Sequence, residues 1–538
     1  MPLDALVSGR IATFAGPAGF GWVEALGIRN GRVAFAGSAI DLETRADPHT
    51  VRIELEPGEI AIPGLTDAHL HYLDAALGTE HVDLTSARTL DEGLAMIVEA
   101  HRTMPPGAWL QGAGWDQRRW GGWPTAADLD RAIEGRPAAI WSFDHHAVWG
   151  SSASFARAGV DARTTDPDGG MIRRLPDGSP EGVVLENACV LLMERVPAPD
   201  EETLNRVLAR LGRQLLELGV VAVHDPGNVS PDVELLAMAA YARLADAGDL
   251  PLRLHASVRP ESLGRAIERG LRSGALLGED PDGRARVGWL KLFADGTLGS
   301  QTAAMLEPRE GATDLGVFRQ DAEELAAFAG RAAEAGIASQ IHAIGDAAVR
   351  AALDAVAPTA ASLALMPRLE HVQLVHPSDR NRFAAHGVAA SVQPVHLRED
   401  AESARRDWGA RAEQWGYAWN TLISAGAVLA FGTDAPVEPI DPWPGIALSV
   451  LRRDPSWGAD AEPFGIHEAL DLEQALRAAT LGPAQTTRET DRGRLTPGSR
   501  ADLIVLPAAP REPNGMSASF ATVRPRLVLM DGEVVVDV

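Results

Sequence analysis

Eight short apolar segments, separated by amphipathic helical patterns, fill the middle of the chain and leave few folds open to it. They are Ile60–His71, Val220–His224, Leu252–Ser257, Gly288–Phe293, Ala338–Ala343, Arg368–Leu374, Val388–Gln393 and Val428–Thr433. Helical patterns at Glu202–Leu218, Val233–Ala247, Ala322–Ala335 and Ala347–Val356 lie between them. Strands that alternate with helices pair in parallel, and eight such units predict a (β/α)8 TIM barrel. The functional residues of such a barrel stand where the strands end.

The two ends of the chain read differently. Ala25–Gly37 is a hairpin turning at Asn30-Gly31, and Leu527–Val536 is another turning at Asp531-Gly532. Residues 1–60 and 487–538 are therefore expected to build one composite β-sandwich domain. The barrel then takes 61–72 and 201–486. Residues 73–200 are too long for a connection and predict an inserted α/β subdomain, with Gly/Pro/Asp-rich stretches at Gly121–Pro124 and Asp166–Gly170.

Composition narrows the function. A net charge of −25 argues against nucleic acid or an anionic membrane as partner. The single cysteine, Cys189, excludes an internal disulfide and a cysteine-rich metal cluster. No stretch reaches the roughly 20 apolar residues of a membrane span, and Met1–Ala5 does not open a secretory signal. A soluble cytoplasmic protein is expected, with a homodimer left open.

Lys291 is the only lysine; every other position among the 49 Lys and Arg residues is arginine. The two are interchangeable as surface cations but not as amines. Arginine keeps its proton in a protein, whereas a buried lysine can become neutral and nucleophilic. Lys291 ends the fourth predicted strand. His69 and His71 close the first, two residues apart and so on one side of a strand. His342 ends the fifth, His371 lies in the sixth and Asp434 ends the eighth. Each has a structural explanation alone; six at one barrel mouth point to a metal-assisted site.

This order, His-x-His, Lys, His, His, Asp, resembles the metal site of the amidohydrolase superfamily. More narrowly, the chain resembles the N-substituted formamide deformylase or YtcJ-like branch. Gly114-Trp115-Asp116 with Trp120, Asp144–Ala147, Phe293–Ser300, Ser391–Pro394 and Gly498–Leu503 carry that likeness. The resemblance implies a lysine carbamate, formed from CO2 on Lys291, bridging two divalent metals, with Zn2+ the first expectation. It implies that His69, His71 and Asp434 hold one metal and His342 and His371 the other. Asp434 is then the general base and acid, and His371 or the second metal stabilises the oxyanion. The expected reaction is hydrolysis of a non-peptide amide, formamide or carbamate. A cyclic-amide hydrolase, a deaminase and a non-catalytic scaffold are the alternatives. Trp115, Asp116, Trp120, His146, Asp295, Gln301 and His396 are expected at the substrate, which the tryptophans make apolar or aromatic. His145 departs from the branch, which has glycine there, and Gln301 stands where relatives often carry arginine.

Overall fold

The computed structural model describes residues 3–105, 107–143, 146–167, 169–228, 234–280, 282–458, 460–507 and 518–538. Eight strands pair in parallel in the order Leu65–Asp67, Val220–Asp225, Arg253–Val258, Ala285–Phe293, Ser339–Ala343, Arg368–His371, Ala389–Val392 and Leu429–Phe431. The first and last meet where the Ala68 N–H donates to the Phe431 carbonyl (2.8 Å), which nearly closes a TIM barrel. The Thr433 hydroxyl and N–H donate to the Asp67 carboxylate across the same seam, at 2.6 and 3.1 Å. Gly432 permits this approach: a Cβ there would lie 2.5 Å from the His69 nitrogen.

Seven of the eight strands fall within a few residues of the sequence reading. They are legible because a parallel strand covered on both faces must be apolar almost throughout, as Val220-Val221-Ala222-Val223 is. The helices follow as well. The helix Ala322–Glu334 starts at a capping box of Asp321 and Glu324 and buries Leu325, Ala329 and Ala332 along one face. The helix expected from Val233 is formed over Leu236–Asp246; Val233 itself lies outside the described residues, as do Asp144, His145 and Asp168.

The segment Ile60–His71 is corrected. It is not one strand. Ile60–Pro63 pairs antiparallel with Leu503–Leu506, and only Leu65–Asp67 joins the barrel. Gly64 separates them and donates its N–H to the Asp502 carbonyl (3.1 Å). His69 and His71 lie beyond the strand end, in the loop before the helix Tyr72–Gly78.

Both chain ends meet in one connected eight-stranded sheet. Its core contains Val7, Ile11, Leu26, Leu503, Val505 and Leu529. Both hairpins form as read. Asn30 and Gly31 take φ of 51° and 71°, the left-handed pair a two-residue turn requires. The sheet is fastened to the barrel by an ion cluster. Arg253, at the start of the third barrel strand, reaches Asp502 at 3.1 Å and Asp531 at 2.6 Å, its side chain only 3% exposed.

Residues Ala76–Val207 form a second unit. It holds a six-stranded mixed sheet from Val82–Asp83 to Pro180–Glu186. One hydrophobic cluster is built on Leu110, Trp115, Leu129, Ile140 and Trp149, another on Trp109, Phe155, Val184 and Leu192.

Removing one partner of a buried ion pair strands the other charge, at a cost of about 3–5 kcal/mol. Arg253→Met is therefore expected to lower stability by that amount in chemical denaturation, while the conservative exposed change Arg102→Met stays within about 0.5 kcal/mol. A loss below about 1 kcal/mol for Arg253→Met would contradict the fastening role.

Candidate metal centre

The barrel mouth is built from the ends of strands one, four, five, six and eight. Asp434 Oδ1 lies 3.3 Å from both His69 Nε2 and His71 Nε2. Lys291 Nζ lies 3.4 Å from His69 Nε2. The His371 ring is 5.3 Å from His69 and 4.5 Å from His342, centre to centre. His69, His371 and Asp434 each offer a donor atom within 4.8 Å of the others'. All six residues are buried.

Three of the four imidazoles are oriented by a hydrogen bond from one ring nitrogen. His69 donates from Nδ1 to Glu370 Oε2 (2.5 Å). His71 donates from Nδ1 to the Gly227 carbonyl (2.6 Å). That carbonyl is fixed in turn: the Asp225 carboxylate accepts from the Gly227 N–H and from the Tyr241 hydroxyl, at 2.8 and 2.7 Å. Both rings thus present Nε2 to Asp434; burial would lower His71, but the Asp434 carboxylate raises it. His342 donates from Nε2 to the Gly296 carbonyl (2.9 Å). His371 Nδ1 is buried with no hydrogen-bond partner among the described residues, a costly state unless something else engages it.

Electrostatics follow from burial. Burial pulls the Lys291 amine down to about 8, against the carboxylates of Glu370 and Asp434. Burial and the nearby Lys291 hold His342 at about 3. Burial, then His342, puts His371 well below the usual imidazole range. Burial would raise Asp434, but its histidine neighbours, His69 first, hold it well below the usual carboxylate range. Neutral His342 and His371, an ionised Asp434 and an easily neutralised Lys291 are in the protonation states of metal ligands. The mixed nitrogen and oxygen donors fit a divalent cation of the zinc type.

Residue by residue, the other expectations separate. Asp295 lies beside the centre, but its carboxylate clamps backbone: it accepts from Ala304, Ile344 and Gly345 at 2.9, 3.1 and 2.9 Å. His396 Nε2 lies 3.2 Å from Asp434 Oδ2, and its Nδ1 is 3.4 Å from Glu438. Gln301 is exposed, with its amide 3.4 Å from Asp407. Trp115 is corrected: it is fully buried in the core of the 76–207 unit, donating to the Ile140 carbonyl (2.8 Å). Asp116 caps the short helix Gln117–Trp120. Trp120 is half-buried against Trp115 and Trp149 and donates to the Ala87 carbonyl (3.2 Å). His146 pairs with Glu186 at 2.9 Å on the surface of that unit, lining a cavity with Trp123 and Met171.

Sequence reasoning missed Glu370 and Arg368. Both are fully buried and joined at 2.7 Å. Burial would raise Glu370, yet Arg368, followed by His69, holds it down at about 2. The signal was present: Arg368-Leu369-Glu370 puts two charges on one side of a strand whose surroundings are apolar, so they must pair inside the barrel.

Residues 57–536 match the amidohydrolase family. The chain belongs to that family. It is 31% identical over 497 residues to the protein LONG AFTER FAR-RED 3 of Arabidopsis thaliana, covering 90% of this chain and 84% of that one. It is 27% identical over 520 residues to an N-substituted formamide deformylase of Arthrobacter pascens, covering 90% of each. Among solved structures it resembles an uncharacterized metal-dependent hydrolase of Pyrococcus horikoshii, with a TM-score of 0.77, 27% identity, and 94% and 97% of the two chains covered. This amidohydrolase is a metal-dependent enzyme that hydrolyses carbon–nitrogen bonds.

Groups that orient a metal-binding histidine typically set about 10–100-fold in metal affinity. Glu370→Gln is expected to weaken metal binding by that factor, measured by competition with a chromophoric chelator. Undiminished affinity would show that Glu370 serves the fold alone.

Proposed function

We propose that this amidohydrolase cleaves the carbon–nitrogen bond of an N-substituted formamide or a related small non-peptide amide. The observation that carries the reading is the convergence of His69 Nε2 and His71 Nε2 on Asp434 Oδ1, with Lys291 Nζ beside them. The formamide-cleaving relative from Arthrobacter pascens supports the choice of bond.

In this proposal His69, His71 and Asp434 would hold one divalent metal and His342 and His371 a second, and Lys291 would contribute to both once its neutral amine has added CO2 and released one proton to water, giving a carbamate. The ammonium form would repel cations; the carbamate is an anionic oxygen donor, and only an amine able to lose its proton forms it. Zn2+ is the metal of choice for these donors, and when bound it lowers the pKa of water and polarises the scissile carbonyl.

The chain's own residues do the rest. Asp434 turns Oδ1 to the two imidazoles and leaves Oδ2, 3.2 Å from His396 Nε2, to accept a proton from the attacking water. The same oxygen returns that proton to the departing nitrogen, so that the amine leaves neutral. His71 and His69 are held by Gly227 and Glu370, so neither ring needs to reorganise during the reaction. Among the described residues no helix is long and apolar enough to cross a membrane.

Lys291→Arg keeps the positive charge and removes the reactive amine. It is expected to lose bound metal in elemental mass spectrometry and at least about 1,000-fold in kcat/KM on N-substituted formamides, the scale of losing a principal catalytic group. Full metal and activity in that variant would remove Lys291 from the site. Chelation followed by Zn2+ is expected to abolish and then restore turnover across a panel of formamides, N-acyl amines and lactams. Turnover of lactams alone would redirect the proposal to cyclic amides. Since no other lysine exists, a gain of one CO2 in intact mass can arise only at Lys291 or the N-terminal amine.

A further inference from the structure

Two guanidinium groups stand at the barrel mouth, and among the described residues the one carboxylate paired with either is Glu261, at a long 3.7 Å from Arg259. Arg259 follows the third barrel strand, and its guanidinium lies 4.7 Å from the centre of the Phe293 ring. Arg319 lies 4.9 Å from the centre of that ring, and Lys291 Nζ is 5.1 Å from it. The Arg259 side chain is 14% exposed, yet its Nε and one terminal nitrogen are buried with no hydrogen-bond partner among the described residues. The nearest paired carboxylate, Glu261, is 3.7 Å from Nε. Arg319 has an exposed side chain, and its only hydrogen bond among those described is from its backbone N–H to the Ala294 carbonyl (2.9 Å).

A guanidinium has five donors in a planar fork, and leaving buried ones unmade is costly. Two cations converging on one aromatic ring also repel each other. One ligand relieves part of both costs: a planar carboxylate on one edge of the Arg259 fork meets one of its two unmet donors and lessens the repulsion between the two cations. The rim beside them is apolar and exposed, through Val317 and Phe318 at 55% and 42%.

We propose that Arg259, assisted by Arg319, binds a carboxylate on the substrate, and that the substrate carries an apolar group against Val317 and Phe318. Arg259 is then a specificity residue. The proposal names the substrate class of the hydrolytic site and rests on that reading.

The test uses the full-length, metal-loaded protein. Calorimetry with 3-phenylpropanoate and 3-phenylpropanamide reads binding without turnover; kcat/KM is compared for N-formylphenylalanine and its carboxamide. The wild type is expected to bind and turn over the acid at least about ten-fold better than the amide, the scale of a charge-assisted pair. Arg259→Met is expected to erase that preference, mainly through KM, Arg259→Lys to keep part of it, and Arg319→Met to reduce it a few-fold. Metal content stays unchanged in all three. Equal affinity for acid and amide in the wild type overturns the proposal. So does a preference that survives Arg259→Met, which would assign the carboxylate to the metal. Loss of metal from Arg259→Met also overturns it, placing the guanidinium on modified Lys291. If Arg259→Met does not fold, an unchanged preference in both Arg259→Lys and Arg319→Met is decisive against it. If no formamide is turned over while the acid preference and its dependence on Arg259 hold, the hydrolytic reading of the substrate fails and the carboxylate site stands.

Discussion

The interaction on which the site depends is the buried pair of Arg368 and Glu370, 2.7 Å apart with neither side chain exposed. A barrel of eight strands has an interior to fill, ordinarily with branched apolar residues. Here a layer of it is polar. Arg368 also donates to Gln340 Oε1 (3.1 Å from Nε) and to His224 Nδ1 (3.0 Å), and its guanidinium sits 3.9 Å from the centre of the Trp289 ring. Gln340 donates onward to Ser257 (3.1 Å). A buried pair needs its remaining donors and acceptors met, and here Arg368 meets its own in this way while Glu370 Oε1 has the ion pair alone. The oxygen of Glu370 that Arg368 does not hold is given to His69. The barrel core therefore ends in a hydrogen bond that selects one tautomer of one imidazole, and the orientation of the centre is inherited from the packing beneath it.

The same layer bears on the proposed carbamate, for which a lysine can serve and an arginine cannot. Lys291 is 1% exposed and its neighbours pull both ways. Burial is the largest influence and favours the neutral amine; Glu370 and Asp434 favour the ammonium; Arg259 and Arg368 oppose it. A balance near pH 8 leaves an appreciable neutral fraction under ordinary conditions, which carbamate formation needs. An arginine in that place would stay charged and add to the repulsion of any cation bound by His69 and His71.

Much of this was legible in the sequence, for particular reasons. Strands buried on both faces announce themselves as apolar runs, and polar residues that end those runs announce the mouth. His69, His71, Lys291, His342, His371 and Asp434 are all recoverable from that rule. Ile60–His71 misled because two strands of different sheets adjoin through Gly64 with no polar residue to divide them. Trp115 misled because a Gly-rich setting reads as an exposed loop. In a unit of this size few residues are large enough to fill the core, so four tryptophans cluster, with Trp115 and Trp149 fully buried and 6.5 Å apart between rings. Arg368 and Glu370 were hidden for the opposite reason. Each is ordinary as a surface residue, and only their spacing within a buried strand marks them as interior partners.

Arg259 belongs to that last class, with one difference. Arg368 finds its partners within the fold, whereas Arg259 is left with buried donors unmet. In a chain of net charge −25, long-range attraction cannot be what brings an anion to the mouth. Exposed charges farther away than about 8 Å are largely screened at physiological ionic strength, so an anion that arrives feels mainly the two guanidiniums and the Phe293 ring they share. Selection by such a site is short-range and geometric. It rewards the planar match of a carboxylate to the Arg259 fork, and it acts in the bound complex, on dissociation, rather than on the rate of encounter. The acidic surface and the proposed carboxylate site are thus compatible: the net charge acts weakly and at long range, whereas Arg259 would act on a molecule already at the mouth.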